Sequence, residues 1–176
     1  MFLKQIILSM LALLGIVCQV EAKDYQLVSP DGKMTVNVAV EETVKWSLNH
    51  GEDALIVDSP VSMTLSDGAV YGASDKVSKV TRRSVDQLLQ THIYKKNHVR
   101  DAFNEMTLKF KEFSLIFRAY DDGVAYRFMS HSKVPFNVVS EQAVFAFAQD
   151  WNMWVPYVCQ NLTDLQTQLF NSFENR

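Results

Sequence analysis

Over most of the chain, apolar residues recur at every second position, and short polar turns interrupt them. The clearest case is FSLIFRAYDDGVAYRFM, residues 113–129. Phe113, Leu115, Phe117 and Ala119 fall on one face of a first run, and Val124, Tyr126 and Phe128 on one face of a second. A period of two around Asp121-Asp122-Gly123 predicts a β-hairpin whose primed turn places Gly123 at positive φ. Residues 34–40 alternate in the same way, with Met34, Val36, Val38 and Val40 on one face. Before them, residues 25–28 read as a short strand, and Ser29-Pro30-Asp31-Gly32-Lys33 as a turn. Val44, Trp46 and Leu48 form the next alternating set, closed by Asn49-His50-Gly51. Residues 54–57 predict a short strand ending at Asp58-Ser59-Pro60. A separate one follows, with Val61, Met63 and Leu65 on one face before Ser66-Asp67-Gly68.

The middle of the chain is less regular. Residues 76–81 fit a strand with solvated lysines. SVDQLLQ, residues 84–90, fits a helical fragment, yet two turns of helix are marginal alone and strand or loop fits equally. Met106, Leu108 and Phe110 alternate again, and apolar runs follow at 138–139 and 144–148. Near the end, Leu162, Leu165, Leu169 and Phe173 line one face of a helix, so the C-terminus is expected to be a short helix or loop. This rhythm of short strands and turns predicts an all-β fold, an antiparallel β-sandwich.

Residues 1–22 are set apart. Lys4 precedes an apolar run from Ile6 to Val17, and Val20-Glu21-Ala22 ends in a small residue. That pattern predicts a cleaved signal peptide, too short for a membrane span. The chain is therefore expected to be secreted, to a bacterial periplasm or outer surface. Its folded part, residues 23–176, is expected to be one domain. Of two cysteines, Cys18 falls in the leader, which leaves Cys159 without an intrachain partner and a disulfide scaffold excluded. With 17 Lys and Arg against 20 Asp and Glu, mixed along the chain, no basic stripe favours nucleic acid. No apolar run long enough to span a membrane follows the leader.

Candidate chemistry is sparse. His50, His92, His98 and His131 show no zinc-site spacing. The acids sit mostly at turns, and no two form a recognisable general acid and base pair. Arg118 and Arg127 oppose each other if Asp122-Gly123 is a two-residue turn. Like charges so placed repel, so either a carboxylate lies between them or a longer loop shifts the register. A structural ion network is the favoured reading. Trp151, Trp154 and Tyr157 form an aromatic cluster, suited to a core, a docking face or a sugar.

Three segments together, SPDGK at 29–33, Asn104-Glu105 and FRAYDDGVAYRF at 117–128, resemble the amino-terminal domain of family 97 glycoside hydrolases. The resemblance implies a galactose mutarotase-like super-sandwich packed against a (β/α)8 barrel in the same chain. It implies a parent enzyme that hydrolyses terminal α-linked glucose or galactose, so α-glucosides or α-galactosides are the expected carbohydrate partners. It also implies calcium at the active site, with one ligand from an aromatic-Glu-x-x-Tyr segment of this domain. Phe173-Glu174-Asn175-Arg176 resembles the start of that segment, which makes Glu174 the candidate calcium ligand. The barrel and its catalytic carboxylates are absent, and the domain is expected to be incomplete. The implied role is to support and complete an active site carried elsewhere, with no turnover by this chain alone. The alternative is a free-standing carbohydrate-binding module of the bacterial surface.

Overall fold

A computed structural model describes residues 23–73, 76–92 and 95–152. The expected leader and the expected C-terminal helix or loop lie outside them. Eleven strands form two antiparallel sheets, and among the described residues there is no helix. The first sheet runs β1 (Lys23–Val28), β2 (Met34–Val40), β3 (Val44–His50), β4 (Asp53–Leu65) and β10 (Val138–Ala143). Two short strands, β5 (Val70–Tyr71) and β11 (Ala146–Phe147), also pair with β4. The second sheet runs β6 (Lys79–Gln90), β7 (His98–Lys109), β8 (Phe113–Ala119) and β9 (Val124–Ser130). The expected antiparallel β-sandwich is what the chain forms.

The core lies where the two alternating patterns meet. Val36, Val38, Val44, Trp46 and Leu48 project from the first sheet, and Met106, Leu108, Phe113, Leu115 and Phe117 from the second, all buried. Aromatic rings tie the layers together: Trp46 lies 6.2 Å from Phe117 and 5.9 Å from Tyr126, and Tyr71 stacks on Phe113 at 4.6 Å. Large apolar side chains of this kind stabilise by about 1.5–3 kcal/mol each when fully buried.

Two local expectations are corrected, and one open reading is decided. Residues 54–57 and 61–65 are not separate strands, because β4 passes through Asp58-Ser59-Pro60 without a break. Pro60 marks a change of neighbours: before it β4 carries β11, and beyond it β5 and β10. Buried Ser59 supports the irregular point, donating from Oγ to the Val57 carbonyl and accepting the Ala146 N–H. Residues 84–90 are strand, laddered residue by residue from Lys79 opposite Lys109 to Gln90 opposite His98. That ladder satisfies twelve residues of backbone, where two isolated helical turns gain little.

The second correction concerns the central hairpin. The Tyr120 N–H donates to the Gly123 carbonyl at 2.8 Å, so Asp121 and Asp122 are the two central residues. Gly123 is not among the glycines at positive φ. A tertiary contact reaches this turn: the backbone N–H of Asp31 donates to Asp121 Oδ1 at 2.9 Å.

Gly72 has the sharpest steric requirement. Its φ is +92°, and a Cβ there would sit 2.6 Å from the Val61 carbonyl oxygen, whereas Gly51 at φ +58° has open space around it. Gly51→Ala should cost about 1–2 kcal/mol, the left-handed penalty alone. Gly72→Ala should cost clearly more, because strand β4 must move. Urea unfolding of both variants checks this; equal losses would contradict it.

Candidate functional site

Strand register brings Arg83, Glu105 and Arg118 into one row. Arg83 pairs with Glu105 across β6 and β7, and Glu105 pairs with Arg118 across β7 and β8. Residues directly opposite share a face, and this is the outer face of the second sheet, turned away from the core. Glu105 is nevertheless buried, and it is the only buried acid among the described residues. Arg83 grips it with two bonds, Nε to Oε1 at 2.7 Å and Nη2 to Oε2 at 2.9 Å. Arg118 adds a third, Nε to Oε2 at 2.8 Å. The Arg83 hydrogen bonds, with help from Arg118 and against the cost of burial, hold the Glu105 carboxyl down at about 2. Beside the row, the Arg118 guanidinium sits 4.2 Å and that of Arg83 5.7 Å from the Phe103 ring centroid. Tyr120 packs on the same ring at 5.2 Å.

The neighbouring residues stitch the two sheets together. Asn104 donates from Nδ2 to the Val28 carbonyl at 2.8 Å and accepts the Ser84 hydroxyl at 2.6 Å. Arg82 Nη2 donates to the Gln26 carbonyl at 3.2 Å. An open cleft of ≈ 510 Å³ runs between β1 and the β6–β7 pair, with Arg82, Arg83 and Glu105 on its wall. Close by, the 29–33 turn is closed by its own side chains. Asp31 Oδ1 accepts the Ser29 hydroxyl at 2.6 Å and the Lys33 N–H at 3.1 Å. These bonds, Ser29 foremost, hold the Asp31 carboxyl at about 2. All three segments that carry the family resemblance therefore meet in one region: the turn, the Asn104-Glu105 pair and the 117–128 hairpin.

This arrangement ties β6, β7 and β8 together through one charged carboxylate. A general acid or base needs a pKa near the working pH, and Glu105 is held far below it. Nor do the described residues make a calcium site of their own. No group of three His, Cys, Asp or Glu side chains gathers among them, and calcium takes six to eight oxygens. Glu174, the sequence candidate for that ion, lies outside the described residues, as do Trp154, Tyr157 and Cys159. Trp151 is described and half exposed. Among the described residues no helix is long and apolar enough to cross a membrane.

Of the two arginines singled out from sequence, only Arg118 belongs to an ion network among the described residues. Arg127 lies opposite Ile116 and Arg118 opposite Ala125, so the like charges do not face each other. Arg83 and Phe103 stand out in no sequence motif, and Glu105 only in the Asn104-Glu105 pair of the family resemblance. Their signal exists only once β6 and β7 are set in register.

Glu105 makes a prediction about acid. Its carboxyl titrates near 4.5 ordinarily and near 2 in the fold. The stability it contributes is thus complete above pH 4.5 and is lost as pH falls toward 2. Asp31, also lowered to about 2, contributes with the same sign. Glu105→Gln should cost about 1.5–3 kcal/mol at pH 7, the scale of hydrogen bonds to a charged group. It should also flatten, without abolishing, the decline between pH 5 and 3. Urea midpoints across that range test both; a variant with the wild-type slope would refute the assignment.

Comparison with known proteins agrees with this geometry. The family model described as "Glycosyl-hydrolase 97 N-terminal" matches residues 27–175. A retaining alpha-galactosidase of Bacteroides thetaiotaomicron is 37% identical over 155 residues, covering 87% of this chain and 23% of that enzyme. The chain thus spans less than a quarter of that relative. A glycoside hydrolase family 97 enzyme from Pseudoalteromonas sp., solved in complex with panose, superposes with TM-score 0.64 at 23% identity, covering 70% of this chain and 20% of that one. A beta-arabinopyranosidase gives the same TM-score at 24% identity, covering 71% and 21%. These two carry the fold alone. From residue 27 to residue 175, the chain belongs to the glycosyl-hydrolase 97 N-terminal family.

Proposed function

We propose that this chain is the non-catalytic amino-terminal β-sandwich of a calcium-dependent α-glycosidase, secreted to the periplasm or outer surface of a bacterium. Its part is to scaffold and complete an active site on a (β/α)8 barrel. The parent reaction is hydrolysis of a terminal α-linked galactose or glucose. The observation that carries this reading is the state of Glu105. The one buried acid among the described residues is clamped by two arginines and held charged. A domain that spends its buried carboxylate on joining strands is built to hold a shape. Support for the substrate class comes from the 37% identity to a retaining alpha-galactosidase. Glu174 is proposed to give one carboxylate to a calcium site that the barrel completes, since one glutamate supplies at most two of the six to eight oxygens.

Two measurements test this. The full chain, purified and supplied with calcium, should show no turnover of aryl α-galactosides or α-glucosides; robust hydrolysis would overturn the reading. Joined at its C-terminus to the remainder of the Bacteroides enzyme, the chain should support hydrolysis, and Glu174→Gln should weaken calcium binding there. Unchanged calcium affinity would remove Glu174 from the site. The second reading, a carbohydrate-binding module, draws on the half-exposed rings of Phe145, Phe147 and Trp151. Calorimetry with maltose and galactose oligomers decides it. Millimolar or tighter binding that disappears in Trp151→Ala favours the module.

A further inference from the structure

Strands β6 and β7 do not end where their sheet ends. The last residue of β8, Ala119, pairs with Asn104 of β7. Beyond that point β6 and β7 continue as a pair alone, from Asp86 opposite Ala102 to Gln90 opposite His98. Five residues of ribbon reach about 17 Å past the sheet. A lone two-stranded ribbon is marginal in water. This one is fastened by side chains: Arg100 makes two bonds to Asp86 at 2.8 Å, and Gln87 donates to Asp101 at 3.0 Å. It also presents leucine on both faces, with Leu88 72% and Leu89 43% exposed.

Charge gives the ribbon a direction. The chain as a whole carries −3, yet residues 87–100 contain no Asp or Glu. Lys95 and Lys96, exposed at the far end, make no ion pair among the described residues. An arm with leucine on both faces and lysines at its end fits an apolar groove rimmed by carboxylates. The Bacteroides relative and the superposed enzymes are more than four times as long as the part this chain matches. In those enzymes the rest of the polypeptide offers a partner surface of ample size.

We propose that this ribbon is the domain's docking arm. Its occupant is an acid-rimmed apolar groove on the catalytic portion that follows the domain. The proposal rests on the reading of the chain as the amino-terminal domain of a longer glycosidase, and names the contact by which it would hold its partner.

Trypsin reports the arm directly, because Lys95 and Lys96 are cleavage sites at its end. The full chain alone is compared with the full chain joined to the remainder of the Bacteroides enzyme. Cleavage there should be about tenfold slower in the joined protein, since protection tracks how rarely the covered segment opens. Leu88→Asp with Leu89→Asp should restore rapid cleavage in the joined protein while leaving the melting temperature of the chain alone unchanged. Equal cleavage in both proteins, or protection that survives the double substitution, would overturn the arm. So would retention of the chain on phosphatidylglycerol vesicles, lost in Lys95→Glu with Lys96→Glu, which would reassign the ribbon to a membrane surface. Hydrolysis of an aryl α-galactoside by the joined protein separates the two ideas. An active protein with an unprotected arm sinks the arm alone; an inactive, folded protein with a protected arm sinks the glycosidase reading alone.

Discussion

Phe113, Leu115, Phe117 and Ala119 project from β8 into the space between the sheets, while Ser114 and Ile116 are buried on its other side. Covering both faces of one strand requires something on each. The core side is covered by Trp46, Tyr71 and the valines of the first sheet. On the outer side, Arg118 bonds Glu105 and stacks over Phe103. The sandwich depends on this two-sided burial, because β8 joins β7 to β9 and carries the rings that meet the opposite layer.

The polar row on the outer face is costly alone and favourable together. Removing one partner of a buried ion pair leaves an unpaired charge, which is far worse than never having placed the pair there. Glu105 escapes that penalty because three N–H donors reach it. The same row locks the register of β6, β7 and β8, since a slip of one residue would carry each charge to the opposite face. Fixing that register also fixes how far the β6–β7 ribbon extends. Ion row and ribbon are thus consequences of one alignment.

The convergence of the 29–33 turn, the Asn104-Glu105 pair and the 117–128 hairpin has the same logic. Asp31 closes its own turn with its carboxylate and reaches the hairpin with its N–H. Asn104 ties β7 to the end of β1. The three segments meet because each ties one strand or sheet to another.

Alternation alone was enough to read the strands and their inward faces. Val36, Val38, Val44, Trp46, Leu48, Leu108, Phe113, Leu115 and Phe117 are buried as the period of two requires, because a strand with one apolar face has one way to hide it. The 29–33, 104–105 and 117–128 segments together also sufficed to read the family. The sequence did not decide between helix and strand for residues 84–90, nor the true turn at Asp121-Asp122. It hid the run of β4 through Pro60 and the burial of Glu105. Those depend on which strand lies beside which, and at what offset. Pairing energies between distant segments, such as Arg83 with Glu105, set that offset only when the chain has folded.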